Sequence, residues 1–293
     1  MKKTFLITWA LVVFLLSLSL FSGSFFMHQV VNETLGTELS YAQSMNGFIT
    51  KNAEGEHEKQ IKESSMREDH QHISIYYQEN FSDLLPMTKE ILDLAIDKNE
   101  RLLGEISPVP FDLLVFENLE ELNGFAALKD AGGFYSDFHK VMGIYNYGEE
   151  SILEEDTHAF YRFQNILVHE YTHYAFIRKV SNQAHYPIWF TEGLAEYVAS
   201  DPDEVQFPYF EKIPFEQLTS NEQWNDALTK RMTDPYLQSH YALAFLTTEY
   251  GEGVIHQIIE SVEETRNFEE SLLEVTGLTV LDLEDVFLDD YKF

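Results

Sequence analysis

A pentapeptide in the second half of the chain, His-Glu-Tyr-Thr-His at residues 169–173, has the residue types and the spacing of a metal site. In an α-helix, His169 and His173 would lie one above the other on the same face, where their imidazole nitrogens can hold one zinc ion at about 2 Å. Glu170 would lie about 100° further round the helix, within reach of a metal-bound water. Apart from these three side chains, residues 166–175 carry no charge, which favours a helix beside a cleft over an exposed polar face.

A second acidic motif, Trp-Phe-Thr-Glu-Gly-Leu-Ala-Glu-Tyr, follows at residues 189–197. A catalytic zinc ion is commonly held by three protein ligands, so Glu192 is the candidate for the third. The 18 residues from 174 to 191 leave room for a turn and a second helix that returns antiparallel. Glu196, four positions after Glu192, can accept a hydrogen bond from a ligand histidine and fix its tautomer. The alternative is that Glu192 is a carboxylate favoured at a helix start by the dipole.

The amino-acid composition limits the kinds of metal site and of binding partner that the protein can have. The 293 residues include no cysteine, which excludes disulfides, thiolate metal sites and thiol nucleophiles, so a transition metal must be held by histidine and carboxylate. With 19 basic and 50 acidic residues the formal net charge is −31, which argues against nucleic acids and anionic membrane surfaces as partners. The hydrophobic fraction of 44% is sufficient for a packed core.

The pattern of apolar residues predicts the elements that position these motifs. Between Ile73 and Tyr145 it predicts strand, helix, strand, helix and strand. From Asp156 onwards almost every segment is predicted to be helical, with Thr191 as the N-cap of the helix that carries Glu192. The predicted fold class is α+β, with a small mixed sheet and its helices followed by a mostly helical half, and the metal-binding helix between them.

The N-terminal quarter of the chain divides into two predicted segments. Lys2 and Lys3 precede an apolar run of roughly 20 residues, which predicts a signal peptide or a transmembrane membrane anchor at residues 1–26 and an extracytoplasmic location for the rest. Residues 27–71 are polar and charged, which is typical of a disordered stalk or linker. Residues 72–293 would form the globular domain.

The two acidic motifs together resemble the zinc signature of the gluzincin metallopeptidases, the group of thermolysin and the aminopeptidase N-like enzymes. This resemblance implies that His169, His173 and Glu192 bind zinc and that Glu170 is the general base. Over residues 72–293 the chain is similar to bacterial proteins with a peptidase MA-like domain, which implies a zincin-like fold.

A further segment, which begins at Tyr236, resembles the part of the aminopeptidase N-like enzymes in which a tyrosine stabilises the tetrahedral intermediate. The resemblance assigns this role to Tyr236, with His240 and Tyr241 as rivals and a core tyrosine as the alternative. The Gly-x-Met-Glu-Asn stretch with which those enzymes grip a free amino terminus has no match in this sequence. A predicted strand at residues 140–145 could instead pair with an extended peptide, so endopeptidase and aminopeptidase activity both remain open.

The sequence therefore predicts an extracytoplasmic zinc-dependent peptidase with Zn2+ as its cofactor and a peptide or protein as its substrate. Two alternatives are a zinc-binding domain without hydrolytic activity and a structural envelope protein without a metal. The first has no evident need for Glu170 as a base beside the metal. The remaining histidines are interpreted as solvated or structural. They are His57, His70 and His72 in the first group, and His139, His158, His185 and His256 in the second.

Overall fold

The computed structural model describes residues 19, 21–29, 32, 39–50, 54–126, 131–146, 148–154, 156–200 and 210–288. These residues form two compact units. The first unit contains the chain through Asp69, Ile73–Gln78 and Phe111–Tyr145. The second contains His70–His72, Glu79–Pro110 and the chain from Asn146 onwards.

The first unit is built on a five-stranded mixed sheet with the strand order β1-β2-β3-β5-β4. Strands β2, β3 and β5 run parallel, whereas β4 is antiparallel to β5 and forms one edge. Almost every side chain of β3 is buried, as expected for the middle of a parallel sheet. The strands are β1 Met66–His70, β2 Ile73–Tyr77, β3 Phe111–Phe116, β4 Gly133–Ser136 and β5 Val141–Tyr145.

Besides a helical stretch at residues 21–29, the described residues of the first unit form three helices, two of which lie in the predicted linker. They are α1 Tyr41–Thr50, α2 Glu56–Ser64 and α4 Leu119–Ala126 (α3 belongs to the second unit). In α2, Ile61 packs against the apolar cluster around Leu114, and the ammonium of Lys62 lies 2.5 Å from a carboxylate oxygen of Asp112. The prediction of a disordered linker is therefore wrong for residues 41–50 and 56–70, which form helices and a strand. For α2 the reason is its contacts with strands that are distant along the chain.

The predicted N-terminal anchor needs a correction as well. Within the residues that the structure describes, no helix is long and apolar enough to cross a membrane, so the predicted transmembrane helix is wrong for them. Residues 1–18 and 20, which carry most of the apolar run of the predicted segment 1–26, lie outside the described residues, as do 30–31, 33–38 and 51–53 of the predicted linker.

The described residues of the second unit are mostly helical. Its main layer consists of α6, which packs against α3 and α7, and of α9, which packs against α7. The carboxylate of Asp156 caps α6 by accepting hydrogen bonds from the amides of His158 and Ala159. The helices are α3 Leu85–Leu103, α5 Glu149–Leu153, α6 Thr157–Lys179, α7 Ile188–Ala199, α8 Asn221–Thr229, α9 Pro235–Tyr250, α10 Gly253–Thr265, α11 Phe268–Thr276 and α12 Val280–Val286.

Helix α7 begins three residues before the predicted N-cap at Thr191. Its first two amides, those of Ile188 and Trp189, donate to the backbone carbonyls of Thr219 and Leu218. A neighbouring loop thus satisfies the free amides that an N-cap side chain would otherwise bind. With a mixed sheet in one unit and helices in the other, the predicted α+β class is confirmed.

Candidate metal centre

Helices α6 and α7 bring the two predicted motifs together in the second unit. The Nε2 atoms of His169 and His173 lie 3.0 Å apart. The Oε2 atom of Glu192 lies 3.4 Å from Nε2 of His169 and 3.6 Å from Nε2 of His173. Four tetrahedral ligands at about 2.0–2.1 Å from a zinc ion are separated by about 3.3 Å, so these three atoms have the spacing of one coordination sphere.

These three residues could therefore hold one metal ion. Across the part of the chain that the structure describes, they are the one group of three or more histidine and acidic side chains whose ligand atoms converge in this way. Their side chains are between 13% and 21% exposed, so a solute can reach the group from outside. A catalytic zinc site commonly has three protein ligands, so this group already supplies the usual number.

The carboxylates of the group favour a positive charge beside them, and a metal ion would bind there in place of a proton of His169. Burial disfavours a positive charge on His169, but its contacts with Glu192 and Glu196 outweigh this, and the pKa of His169 is raised. Burial also acts against the charge on Glu192, yet the attraction of both histidines holds the pKa of this carboxyl well below its usual range. Glu192 is therefore a carboxylate at neutral pH, the form in which it can act as a metal ligand.

Glu196 occupies the position that the sequence predicts for it. Its Oε1 atom lies 2.9 Å from Nδ1 of His169, one turn along α7 from Glu192. When Nδ1 of His169 donates a proton to this carboxylate, Nε2 is left as the nitrogen that faces Glu192 and His173. Such a hydrogen bond would fix both the tautomer and the ring orientation of His169.

Glu170 lies beside the ligands on α6 and is 8% exposed. Burial raises its pKa, and the carboxylates of Glu192 and Glu196 act in the same direction, whereas His169 and His173 oppose them. A buried carboxyl group with a raised pKa next to a candidate metal centre is well suited to accept and return a proton.

Tyr236 lies in the first turn of α9, and its ring contacts the ring of His169 edge to face at 6.1 Å between centroids. Burial raises the pKa of its phenol, and the negative charge of Glu192 adds to the effect, so the hydroxyl stays protonated. The rival His240 packs against Tyr197, and the rival Tyr241 stacks on Phe210. Of the three candidates, Tyr236 is the one in ring contact with a predicted zinc ligand.

A comparison with known proteins found a relative of this chain. The chain is 31% identical over 244 residues to a Bacillus subtilis (strain 168) protein with the name "Uncharacterized protein YhcO", over 82% of this chain and 74% of that protein. The chain belongs to the YhcO family. No protein-family model matches the chain. The relative's name states no activity, so the function of this YhcO family member has to be argued from its own residues.

Gly193 explains how α9 approaches the candidate metal ligands in this YhcO family member. A Cβ atom at Gly193 would lie 2.7 Å from the backbone oxygen of Ser239 and 2.8 Å from a side-chain carbon of Leu243. Because glycine has no side chain here, α9 lies directly against α7 next to Glu192. This close approach places the start of α9, and with it Tyr236, beside His169.

Trp224, which the sequence analysis did not select, also belongs to the surroundings of the site. It lies in α8, is 5% exposed, and its ring meets that of Tyr236 at 5.0 Å between centroids and an angle of 88°. In the sequence, a tryptophan in a short amphipathic helix cannot be distinguished from an ordinary core residue, so this contact could not be predicted.

The remaining described histidines take no part in the converging group. His139 lies 3.6 Å from Glu58, and His256 lies 3.2 Å from Glu260. The interpretation of His70 and His72 as solvated is wrong. His70 pairs with Asp93 at 2.8 Å, and the ring of His72 stacks on Tyr174 at 5.4 Å. Both corrections arise from packing with α3 and α6, partners that are distant in sequence.

Proposed function

We propose that this protein is a zinc-dependent peptidase of the gluzincin type, which hydrolyses peptide bonds with Glu170 as general base. The observation that carries the proposal is the spacing of 3.0–3.6 Å among the ligand atoms of His169, His173 and Glu192, with Glu170 buried beside them. Together with the two sequence motifs, the side-by-side arrangement of α6 and α7 supports a zincin-like organisation of this unit.

The donor set supports zinc as the metal. Two imidazole nitrogens and one carboxylate oxygen are a ligand combination of catalytic zinc sites, which leave one position for water. Calcium and magnesium prefer sites made of oxygen atoms alone, and they are disfavoured by two histidines. The fit is one of donor type and of spacing, so zinc is part of the proposal.

The mechanism follows from the side chains around the ligands. A zinc ion held by His169, His173 and Glu192 would supply an activated water with a pKa of about 7. Glu170 would accept a proton from the attacking water and would then donate a proton to the leaving amine. The hydroxyl of Tyr236 donates a hydrogen bond to the oxygen that becomes negative during the attack. Glu196 keeps His169 in the orientation that binds zinc.

The substrate class is a peptide or protein, and the choice between endopeptidase and aminopeptidase stays open. An extracytoplasmic location stays a prediction from the apolar run in residues 1–26. The acidic net charge of −31 makes basic peptides better partners than acidic ones for association at long range.

The test is replacement of Glu170 by glutamine, with Glu260→Gln as the control. Glu260 is an exposed glutamate of α10, whose replacement should leave both metal binding and hydrolysis unchanged. We expect Glu170→Gln to retain one zinc ion per chain while cleavage of a mixed peptide library falls by about 10²- to 10⁴-fold.

Two results would count against the proposal. Cleavage at the wild-type rate by Glu170→Gln would exclude this residue as the base. A wild-type protein that binds zinc stoichiometrically but cleaves no library peptide would favour the alternative of a zinc-binding domain without hydrolytic activity. Cleavage products identified by mass spectrometry, with and without a chelator, would also separate endopeptidase from aminopeptidase activity.

A further inference from the structure

The contact between Trp224 and Tyr236 contains a polar group without a regular partner. Nε1 of Trp224 is buried, and it donates no hydrogen bond of regular geometry to any residue that the structure describes. The acceptor that this N–H approaches is the phenol oxygen of Tyr236. A buried donor without an acceptor is unfavourable, which favours a hydrogen bond between this N–H and the phenol oxygen.

The surroundings leave Trp224 little freedom. Helix α8 begins with a capping box, in which Ser220 and Gln223 bind each other's backbone amides, and Trp224 follows immediately. The indole is 5% exposed and stands perpendicular to the phenol ring of Tyr236. Tyr236 also contacts the ring of His169. The phenol is therefore in contact with both a buried indole and a predicted zinc ligand.

We propose that Trp224 is a positioning residue for Tyr236: its indole N–H donates a hydrogen bond to the phenol oxygen, and its ring plane fixes the direction of the phenol beside the metal ligands. When the phenol oxygen accepts from Trp224, its own O–H proton is left to donate elsewhere. This proposal rests on the proposed function, because it gives that proton to the oxygen of the substrate carbonyl.

The hydrogen bond would also strengthen the donor. A hydroxyl that accepts a hydrogen bond becomes a better donor in turn, since chains of hydrogen bonds polarise one another. Trp224 never contacts the substrate in this scheme. Its effect passes through Tyr236, so it should appear in kcat rather than in KM or in zinc binding.

A purely structural role makes a different prediction. If Trp224 contributes only packing to the core of α8, phenylalanine should replace it with little effect on kcat, because the aromatic contact is kept and only the N–H is lost. A loss of kcat in Trp224→Phe that depends on the presence of the Tyr236 hydroxyl is therefore specific to the proposed hydrogen bond.

The kinetic experiment compares the wild type, Trp224→Phe, Tyr236→Phe and the double variant, all as full-length chains loaded with zinc. We expect Trp224→Phe to lower kcat about tenfold, a fraction of the loss expected from removal of the oxyanion donor itself, with KM and zinc content unchanged. In the Tyr236→Phe background the second change should alter kcat less than about twofold. Equal effects of Trp224→Phe in both backgrounds would overturn the proposal.

A second measurement does not depend on activity. The chain has three tryptophans, so its ¹⁵N-indole spectrum has few signals, and Trp224→Phe assigns the signal that belongs to Trp224. We expect Tyr236→Phe to shift that signal and to leave the signal of Trp189, which stacks on Phe215, in place. An unshifted Trp224 signal would overturn the hydrogen bond. If the wild type cleaves no peptide while the signal shifts, the hydrogen bond stands and the proposed function fails.

Discussion

Two acidic clusters in this protein differ in the cation that balances them. In the first unit, carboxylates of Glu54, Glu58 and Asp112 lie 2.5–3.1 Å from the ammonium of Lys62. In the second unit, the carboxylate of Glu192 faces two histidine nitrogens, at distances of 3.4 and 3.6 Å. Lys62 is a permanent cation supplied by the chain itself, whereas imidazole and carboxylate are the donors with which proteins hold zinc.

The two clusters differ in function: one holds two parts of the fold together, and the other has the geometry to bind a metal ion. Burial disfavours the charge of Lys62, but the attraction of Glu58 and the hydrogen bonds with Asp112 and Glu58 outweigh this and raise its pKa. Lys62 is thus the cation of this cluster, and its contact with Asp112 attaches α2 to the sheet. The ligand atoms of the second cluster converge instead on one point at the spacing of a coordination sphere. We therefore expect the first cluster to contribute to folding and the second to metal binding.

The largest effect is expected from His173→Ala, which removes one of the three ligands. A ligand at a thousandfold excess over its Kd stabilises a protein by about 4 kcal/mol, and this zinc-dependent part of the free energy of unfolding should be lost in the variant. The measurement is urea-induced unfolding of both proteins, with zinc and with a chelator. In the chelator the two should differ by less than about 1 kcal/mol. An undiminished effect of zinc on His173→Ala would contradict the assignment of this ligand.

A smaller effect, on folding alone, is expected from Lys62→Met. The change leaves the buried carboxylate of Glu58 without its cation, which should cost about 3 kcal/mol in the free energy of unfolding. The loss should be the same with zinc and with chelator. The control is Lys59→Ala on the same helix, whose exposed pair with Glu56 at 3.3 Å should contribute less than about 0.5 kcal/mol. Equal losses in the two lysine variants would remove the distinction between the clusters.

The smallest effect in this series concerns Glu196, which we propose orients His169 without binding the metal. Its replacement by alanine should weaken zinc binding 10- to 100-fold, or by about 1.4–2.7 kcal/mol. Glu196→Gln, which keeps an oxygen acceptor for Nδ1 of His169, should recover part of this loss. Competition with a zinc chelator of known affinity measures both variants. Unchanged affinity in Glu196→Ala would show that His169 needs no partner.

The ligand set could be predicted from the sequence because its geometry is mostly local. His169 and His173 share a face of one helix, and so do Glu192 and Glu196, so helical periodicity alone fixes two pairs. The convergence of the two helices was a hypothesis based on spacing and resemblance, and the contacts between α6 and α7 place the pairs together. The α+β class followed in the same way from local periodicity.

What the sequence could not predict depends on partners that are distant along the chain. The composition of residues 27–71 predicted a disordered linker. In the structure, Lys62 of α2 contacts Asp112 of β3, a residue that is distant along the chain. The selection of Tyr236 over its rivals depends on the close approach of α9 to α7 at Gly193. The role proposed for Trp224 could not be predicted from the sequence, because its contact with Tyr236 depends on how α8 and α9 pack.

The central claim is that His169, His173 and Glu192 bind one zinc ion, and X-ray absorption at the zinc edge tests it most directly. For the wild type loaded with one equivalent of zinc, we expect a shell of nitrogen and oxygen atoms at about 2.0–2.1 Å, with the outer-shell scattering of two imidazoles. His173→Ala should lose the contribution of one imidazole. A wild-type spectrum without imidazole scattering, or one that is identical in His173→Ala, would contradict the claim.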